Sequence, residues 1–216
     1  IIVLSGMYNN LRNQTQCRMD RELTGVLQEG YCVHPPSKKW ICLTDSDGDF
    51  DNTQSPSCLI EPTGPIIAIV KKNPAPLEKL RTWLKSNPSD VKNLKLLLID
   101  DESDYASVNT ANKEMLDAEG AFEGEEELSE EELEEEEKCT TINAYVRSIR
   151  NMFDTHAYIG YTATPYANVF IDPEDDGAEF DFEDEGEFEE LGRTLYPRQF
   201  ITALEKPPDY LGIEDL

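Results

Sequence analysis

The sequence lacks two features that would place it in a membrane or outside the cell. It has no apolar run approaching the roughly 18 residues that a helix needs to span a bilayer, so we expect no membrane segment. It has no Cys-x-x-Cys pair, and its five cysteines are an odd number, so they cannot all pair as disulfides. Reduced thiols are typical of the cytoplasm, and we therefore expect a cytoplasmic protein with no membrane partner.

A phosphate-binding glycine loop is also missing. No glycine in the chain is followed by lysine, so the motif Gly-x-x-x-x-Gly-Lys-Ser/Thr, which cradles nucleotide phosphates, does not occur. The chain begins without Met, and its first four residues form an apolar run typical of a buried strand. From these two absences we expect a piece of a longer protein, in which any phosphate-binding loop precedes Ile1.

Basic residues are absent from two long stretches, and these account for the formal net charge of −26. Residues 114–137 contain fourteen acids and residues 172–190 contain twelve, with no Lys or Arg in either. The rest of the chain balances nineteen acids with nineteen bases, so acidity does not exclude a nucleic-acid partner for this neutral body. We interpret residues 114–138 as an acidic surface insertion and residues 172–216 as an acidic linker with the start of a following segment.

Short apolar runs predict the strands of a parallel sheet. They cover residues 1–4, 39–44, 66–70, 94–99 and 158–161. Helical periodicity occurs between them, over residues 9–27, 77–84 and 142–153. This alternation predicts an α/β domain over residues 1–171, with helices on both faces of the sheet.

Three local predictions concern residues 129–171. In the helix over residues 142–153, apolar side chains occupy one face, which turns Arg147 and Arg150 outward. Residues 167–171 follow Pro165 and are predicted to form a short extended piece. The acidic residues 129–138 are predicted to form a solvated helix ahead of the amphipathic one.

Carboxylates follow the central predicted strand. The apolar run over residues 94–99 leads into Asp100-Asp101-Glu102-Ser103-Asp104. In nucleotide hydrolysis, an aspartate at a strand end holds magnesium, and a neighbouring acid orients the attacking water. We assign these roles to Asp101, as the Mg²⁺ ligand, and to Glu102, with Asp100 as a competing register for the metal ligand.

Hydroxyl residues follow the next predicted strand, in the motif Thr162-Ala163-Thr164-Pro165. Sixty residues separate Glu102 from Thr162. Removing an insertion of roughly 25 residues leaves about 35, the length of one strand–helix–strand crossover. The two motifs should therefore end neighbouring or near-neighbouring strands at the same edge of the sheet, where the hydroxyls are suited to sense a bound nucleotide.

Polar residues also follow the first strand and the strand over residues 66–70. Amides at a strand-to-helix junction can grip a phosphate, or they can be solvated residues of a helix cap. Lysines at a strand exit can neutralise nucleic-acid phosphates, or they can be ordinary loop residues. Both pairs of alternatives stay open on the residues alone.

Together these motifs resemble those of a known group. Asp-Glu-x-Asp and Thr-Ala-Thr-Pro are similar to motifs of the RecA-like first motor domain of superfamily-two helicases and translocases. More narrowly, the chain resembles the Z-one domain of bacterial endonucleases tied to restriction-type defence. The narrow resemblance covers IIVLSGMYNNLRNQTQ at residues 1–16, LLIDDESDYASVNT at 97–110, most of 142–171, and LYPRQFITALEKPPDYLG at 195–212.

The resemblance implies ATP-driven movement on DNA, with Mg²⁺ and ATP as cofactors. It implies a larger restriction-type protein, with DNA and methyltransferase or nuclease subunits as partners. It assigns roles to nine residues: Asn10, Arg12 and Gln14 in a first DNA-contacting motif, Lys71, Lys72 and Asn73 in a second, and Asp104, Thr162 and Thr164 in motifs that couple nucleotide state to DNA grip. A nuclease pattern of the form Asp…Glu-x-Lys is not evident, so endonuclease activity would reside elsewhere in that protein.

An alternative interpretation is a non-catalytic RecA-like scaffold. In that case the acidic stretches would bind basic partners or mimic DNA, and the sharp charge bias is the feature that favours it. A third interpretation is an ATPase that remodels protein instead of DNA.

We expect this chain alone to show no appreciable magnesium-dependent ATP hydrolysis, because it contains no phosphate-binding loop. Phosphate release by the purified chain with Mg²⁺ and ATP, against a protein-free background, measures this. Robust hydrolysis by the chain would contradict the expectation.

Overall fold

The structure, a computed structural model, describes most of the 216 residues. The described ranges are 1–25, 39–53, 55–60, 62–105, 130–169, 171–174, 178–182 and 188–205. The strands are β1 (Ile2–Ser5), β2 (Ile41–Cys42), β3 (Ile66–Lys71), β4 (Lys95–Asp101), β5 (Thr155–Tyr161), β6 (Glu179–Asp181) and β7 (Phe188–Glu190). The helices are α1 (Asn9–Met19), α2 (Pro74–Lys85), α3 (Pro88–Asn93), α4 (Glu130–Asn151) and α5 (Tyr166–Val169).

Strands β1 to β5 form one parallel sheet in the order β2-β3-β1-β4-β5. In the register of the central strands, Val3 lies opposite Ile99 and Ile99 opposite Ile159. Asp101 lies opposite Tyr161 at the carboxyl ends of β4 and β5. The predicted α/β class is confirmed, and so is the prediction that the two motifs end neighbouring strands at one edge.

Helices cover both faces of the sheet. Alternate residues of a strand point to opposite faces, so Leu4 and Leu98 join the apolar sides of α2 and α4 in the larger core cluster. On the other face, Val3 and Ile69 pack against α1 and the π-helical turn Asp20–Thr24 that continues it. None of the described helices combines the length and apolar content that crossing a bilayer requires.

The predicted elements differ from the observed ones mainly in length. The strand predicted over residues 39–44 is reduced to two residues in β2, and the helix predicted over 77–84 begins earlier, at Pro74. Proline suits the first helical position because that residue needs no backbone donor. The acidic residues from Glu130 onward form the first turns of α4, as predicted. The rest of the predicted insertion, residues 114–129, and the helix end over 26–27 lie outside the described residues.

Two local predictions were wrong. Arg147 and Arg150 are buried, because their guanidiniums donate to main-chain carbonyls of Gly192, Arg193 and Thr194. Of the residues predicted to be extended, 167–169 instead belong to the single helical turn α5. Asn168 of that turn points inward and donates to the carbonyl of Ser103.

Part of the second acidic stretch is built into the fold. Strands β6 and β7 pair antiparallel, and Phe182, Leu191 and Leu195 join the larger core cluster. The Nδ2 of Asn151 donates to the carbonyl of Leu191 at 2.7 Å. These contacts attach residues 178–182 and 188–195 to α4, so in the described chain they belong to the same packing unit as the sheet.

A buried arginine joins this hairpin to two helices. Arg81 of α2 donates from Nε to Ser148 of α4 at 2.9 Å and from Nη2 to Glu189 of β7 at 2.5 Å. Its guanidinium also lies 3.8 Å from the ring centroid of Phe182. Lys85 is a second cation near Glu189, at 3.0 Å. The hydroxyl of Ser148 also donates to Oε1 of Glu189 at 2.5 Å. Burial would raise the pKa of Glu189, but hydrogen bonds from Ser148, Arg81 and Lys85 lower it below its ordinary value.

Replacing Arg81 with methionine should lower the free energy of unfolding by about 2 kcal/mol, because it removes the charged hydrogen bonds from Arg81 to Glu189 and Ser148, while Glu189 keeps its contacts with Ser148 and Lys85. Denaturant unfolding of the chain measures the change. The matched control is Lys79→Met, on an exposed position of the same helix, which should change stability by less than about 0.5 kcal/mol. Equal losses in the two variants would contradict a specific role for Arg81.

Candidate functional site

The candidate site lies at the carboxyl ends of β1, β3, β4 and β5. Parallel strands deliver their following loops to one edge of the sheet. The loop after β4 carries Asp101, Glu102 and Asp104, and the segment after β5 carries Thr162 and Thr164. Asp101 and Glu102 are exposed, whereas Asp104 is half-buried between the two segments.

Asp100, the competing register, has no exposed surface. Its Oδ1 lies 2.7 Å from the Nζ of Lys72, and both side chains are 0% exposed. Its Oδ2 accepts a hydrogen bond from the hydroxyl of Tyr158 at 2.7 Å. Both carboxylate oxygens of Asp100 thus have buried partners. Asp101 and Glu102 are the adjacent acids that face solvent.

Glu102 has an unusual backbone conformation. Its φ is +54°, in the left-handed region, which costs a non-glycine residue about 1–2 kcal/mol. Its carbonyl accepts hydrogen bonds from the Nζ of Lys72 at 2.7 Å and the N–H of Tyr105 at 2.9 Å. These two donors close the loop into a tight turn and hold Glu102 in its strained conformation.

The Glu102 carboxylate lies against the turn after β1. A Cβ atom added to Gly6 would stand 2.8 Å from Oε2 of Glu102 and 2.9 Å from Leu11. Both distances are too short for an unshifted side chain, so a residue larger than glycine at position 6 would displace the glutamate. Gly6 was not among the predicted site residues, although Ser-Gly directly after a buried strand marks a tight turn.

Two further residues hold the β4 loop against β5 and α5. The N–H of Ser103 donates to the carbonyl of Tyr161 at 2.9 Å, and the Nδ2 of Asn168 donates to the carbonyl of Ser103 at 2.8 Å. A Cβ on Gly160 would stand 2.6 Å from the Oγ and 2.9 Å from the Cβ of Ser103, so a larger residue at this strand position would displace Ser103. An isolated glycine within a strand pattern signals such a close approach, and Gly160 could have been found from it.

Asp104 connects the two loops directly. Its Oδ1 accepts from the hydroxyl of Thr162 at 2.6 Å, and its Oδ2 accepts from the hydroxyl of Thr164. The Thr162 oxygen also accepts from the N–H of Thr164 at 2.9 Å. Burial raises the pKa of Asp104, but the two threonine hydrogen bonds outweigh it and hold that pKa below its ordinary value.

The residues matched to DNA-contacting motifs divide into two groups. Asn10 and Gln14 are exposed on α1. Lys71 is partly exposed, and its Nζ donates to the Oδ1 of Asn9 at 2.9 Å, while Asn73 is half-buried just before α2. The nucleic-acid role of these four residues stays a prediction.

Arg12 and Lys72 form the second group, and their charged head groups face the interior. Arg12 donates from Nε to the carbonyl of Ile69 at 3.3 Å and from Nη2 to Gln16 at 3.1 Å. Burial lowers the pKa of Arg12, and the nearby Asp49 opposes that shift. Neither head group is available to an external phosphate in this conformation.

The predicted magnesium site offers two adjacent exposed carboxylates, those of Asp101 and Glu102. Among the described residues, no group of three or more His, Cys, Asp or Glu side chains is arranged to hold a metal ion. Magnesium bound with nucleotides takes one or two carboxylates, with waters and phosphate oxygens completing its shell. Asp101 therefore stays the predicted ligand, with Glu102 beside it.

Comparisons with known proteins give no family for this chain. No protein-family model matches it, and neither curated proteins nor solved structures give a match. The resemblance to motor domains therefore stays a prediction that depends on short motifs.

Replacing both threonines, in Thr162→Val/Thr164→Val, should lower the free energy of unfolding near neutral pH by about 1 kcal/mol. The loss is modest because Asp104 is only partly shielded from solvent. A carboxyl whose folded pKa is depressed contributes stability above its unfolded pKa and loses it as pH falls. The difference from wild type should therefore shrink below about pH 4.

Urea unfolding at neutral and acidic pH checks this. Thr155→Val, at an exposed position at the start of β5, is the matched control and should show no such pH dependence. If the double-threonine variant loses the same free energy of unfolding at neutral and at acidic pH, the two hydroxyls do not stabilise the ionised form of Asp104.

Proposed function

We propose that this chain is part of an ATP-dependent, RecA-like motor that moves on DNA within a larger restriction-type protein. The observation that carries the proposal is the double hydrogen bond of Asp104 to Thr162 and Thr164. Motor proteins need a contact that transmits a change at the nucleotide to another part of the domain. Asp104 lies two residues from Glu102 and bonds directly to the loop after β5.

The proposed chemistry divides among the exposed acids. With ATP, a magnesium ion would neutralise charge on the phosphate oxygens. Asp101 would hold that ion, and Glu102 would orient the attacking water and accept its proton. The phosphate-binding loop would be supplied by another part of the full-length protein. Support for this division comes from Asp100, whose burial against Lys72 leaves the next two acids facing solvent.

The proposed DNA surface lies beside the same edge of the sheet. Asn10 and Gln14 are exposed near the start of α1, and Lys71 ends β3. Amides and a lysine can bind phosphate oxygens without reading the base sequence. We infer that these three residues contact the DNA backbone, whereas Arg12 and Lys72 support them from inside the fold.

In the full-length protein, Glu102→Gln should lower the DNA-stimulated kcat for ATP hydrolysis about a hundredfold or more, because it removes the proposed base. Affinity for duplex DNA should be retained. Steady-state phosphate release and a DNA-binding titration measure the two quantities. Asp154→Asn is the control: it changes a carboxylate to an amide at the opposite edge of the sheet, before β5, and should leave both unchanged.

The outcomes separate the proposal from its alternatives. A scaffold predicts no hydrolysis in the wild type, with or without DNA. An ATPase that remodels proteins predicts hydrolysis that Glu102→Gln abolishes but that DNA does not stimulate. Wild-type hydrolysis that survives Glu102→Gln would overturn the assignment of the base.

A further inference from the structure

Lys72 is buried where an exposed lysine was expected. It follows β3 directly, and its side chain has no exposed surface. The Lys72 ammonium donates hydrogen bonds to two main-chain carbonyls, of Glu102 at 2.7 Å and of Tyr105 at 3.1 Å. It also forms an ion pair with Asp100 Oδ1 at 2.7 Å.

The two carbonyls explain why an ammonium group, and not an apolar side chain, is needed at position 72, which the ion pair with Asp100 alone does not explain. A buried ion pair is by itself weak evidence of stabilisation, since an apolar pair of similar volume often serves as well. An apolar side chain cannot donate to the carbonyls of Glu102 and Tyr105, the first and last residues of the described segment 102–105 that follows β4. Lys72 therefore contacts both ends of the segment that carries Glu102 and Asp104.

We propose that Lys72 is a positioning residue, whose buried ammonium fixes the main chain of residues 102–105 and so the carboxylates of Glu102 and Asp104. Asp100 has the secondary role of neutralising that ammonium, and Tyr158 orients Asp100 from β5 through its 2.7 Å hydrogen bond. The consequence for hydrolysis rests on the proposed function, whereas the positioning itself can be measured without nucleotide.

The test removes the ion pair as a unit, in Lys72→Met/Asp100→Leu, so that neither charge is left buried alone. Hydrogen exchange then follows the N–H groups of Ser103 and Tyr105, which donate to the carbonyls of Tyr161 and Glu102. Their exchange should accelerate about tenfold or more, because local opening becomes easier. The N–H of Leu43, bonded to the carbonyl of Ile67, reports on the sheet and should change much less.

Tyr158→Phe is the matched control. It removes a donor to Asp100 but leaves both loop carbonyls bonded to Lys72, so exchange at Ser103 and Tyr105 should stay near the wild-type rate. If exchange at Ser103 and Tyr105 does not accelerate in the double variant, the proposal is overturned. It is also overturned if exchange at Leu43 accelerates equally, because Lys72 would then act on overall stability alone.

If the double variant does not fold, a measurement on the wild type tests the positioning role of Lys72. The Lys72 ammonium protons should exchange with water slowly enough to be observed by NMR of the side-chain nitrogen, unlike those of Lys71. Fast exchange at Lys72 would overturn the proposal. If the full-length wild type hydrolyses no ATP, the proposed function fails, but these exchange results still stand or fall independently.

Discussion

The parallel pairing of β4 with β5 is the constraint on which the rest of the site depends. It sets Asp101 beside Tyr161, so the loops that follow leave the sheet side by side. Contact between Asp104 and the two threonines follows from that register. A shift of one residue would turn the acids to the opposite face, which would bury Asp101 and expose Asp100.

Charge is used in two opposite ways in the described part of the chain. Buried cations tie elements together: Lys72 joins β3 to the β4 loop, and Arg81 joins α2 to α4 and the hairpin. Exposed acids stand at the sheet edge, where a metal and phosphates can approach. The interior charges each have several partners, as the cost of desolvating an ion requires, whereas Asp101 is exposed to solvent.

Much of the sheet could be predicted because buried parallel strands are short apolar runs. The crossover length between the two motifs predicted that β4 and β5 are neighbours or near-neighbours. Side-chain direction could not be predicted in the same way. Arg147, Arg150 and Lys72 have long apolar stems, so a charged residue type does not decide whether its head group faces solvent or a buried carbonyl. Their partners, such as Thr194, are far away in sequence. The strained φ of Glu102 likewise depends on donors that only the folded chain brings together.

The left-handed conformation of Glu102 has a consequence for how this position responds to selection. Glycine adopts such a φ freely and asparagine adopts it readily, so Glu102→Gly would relieve backbone strain. It would also remove the carboxylate on which the proposed reaction depends. Selection for thermal stability and selection for the proposed reaction would therefore act in opposite directions at this residue. A laboratory screen that rewarded heat resistance alone would favour the loss of the acid.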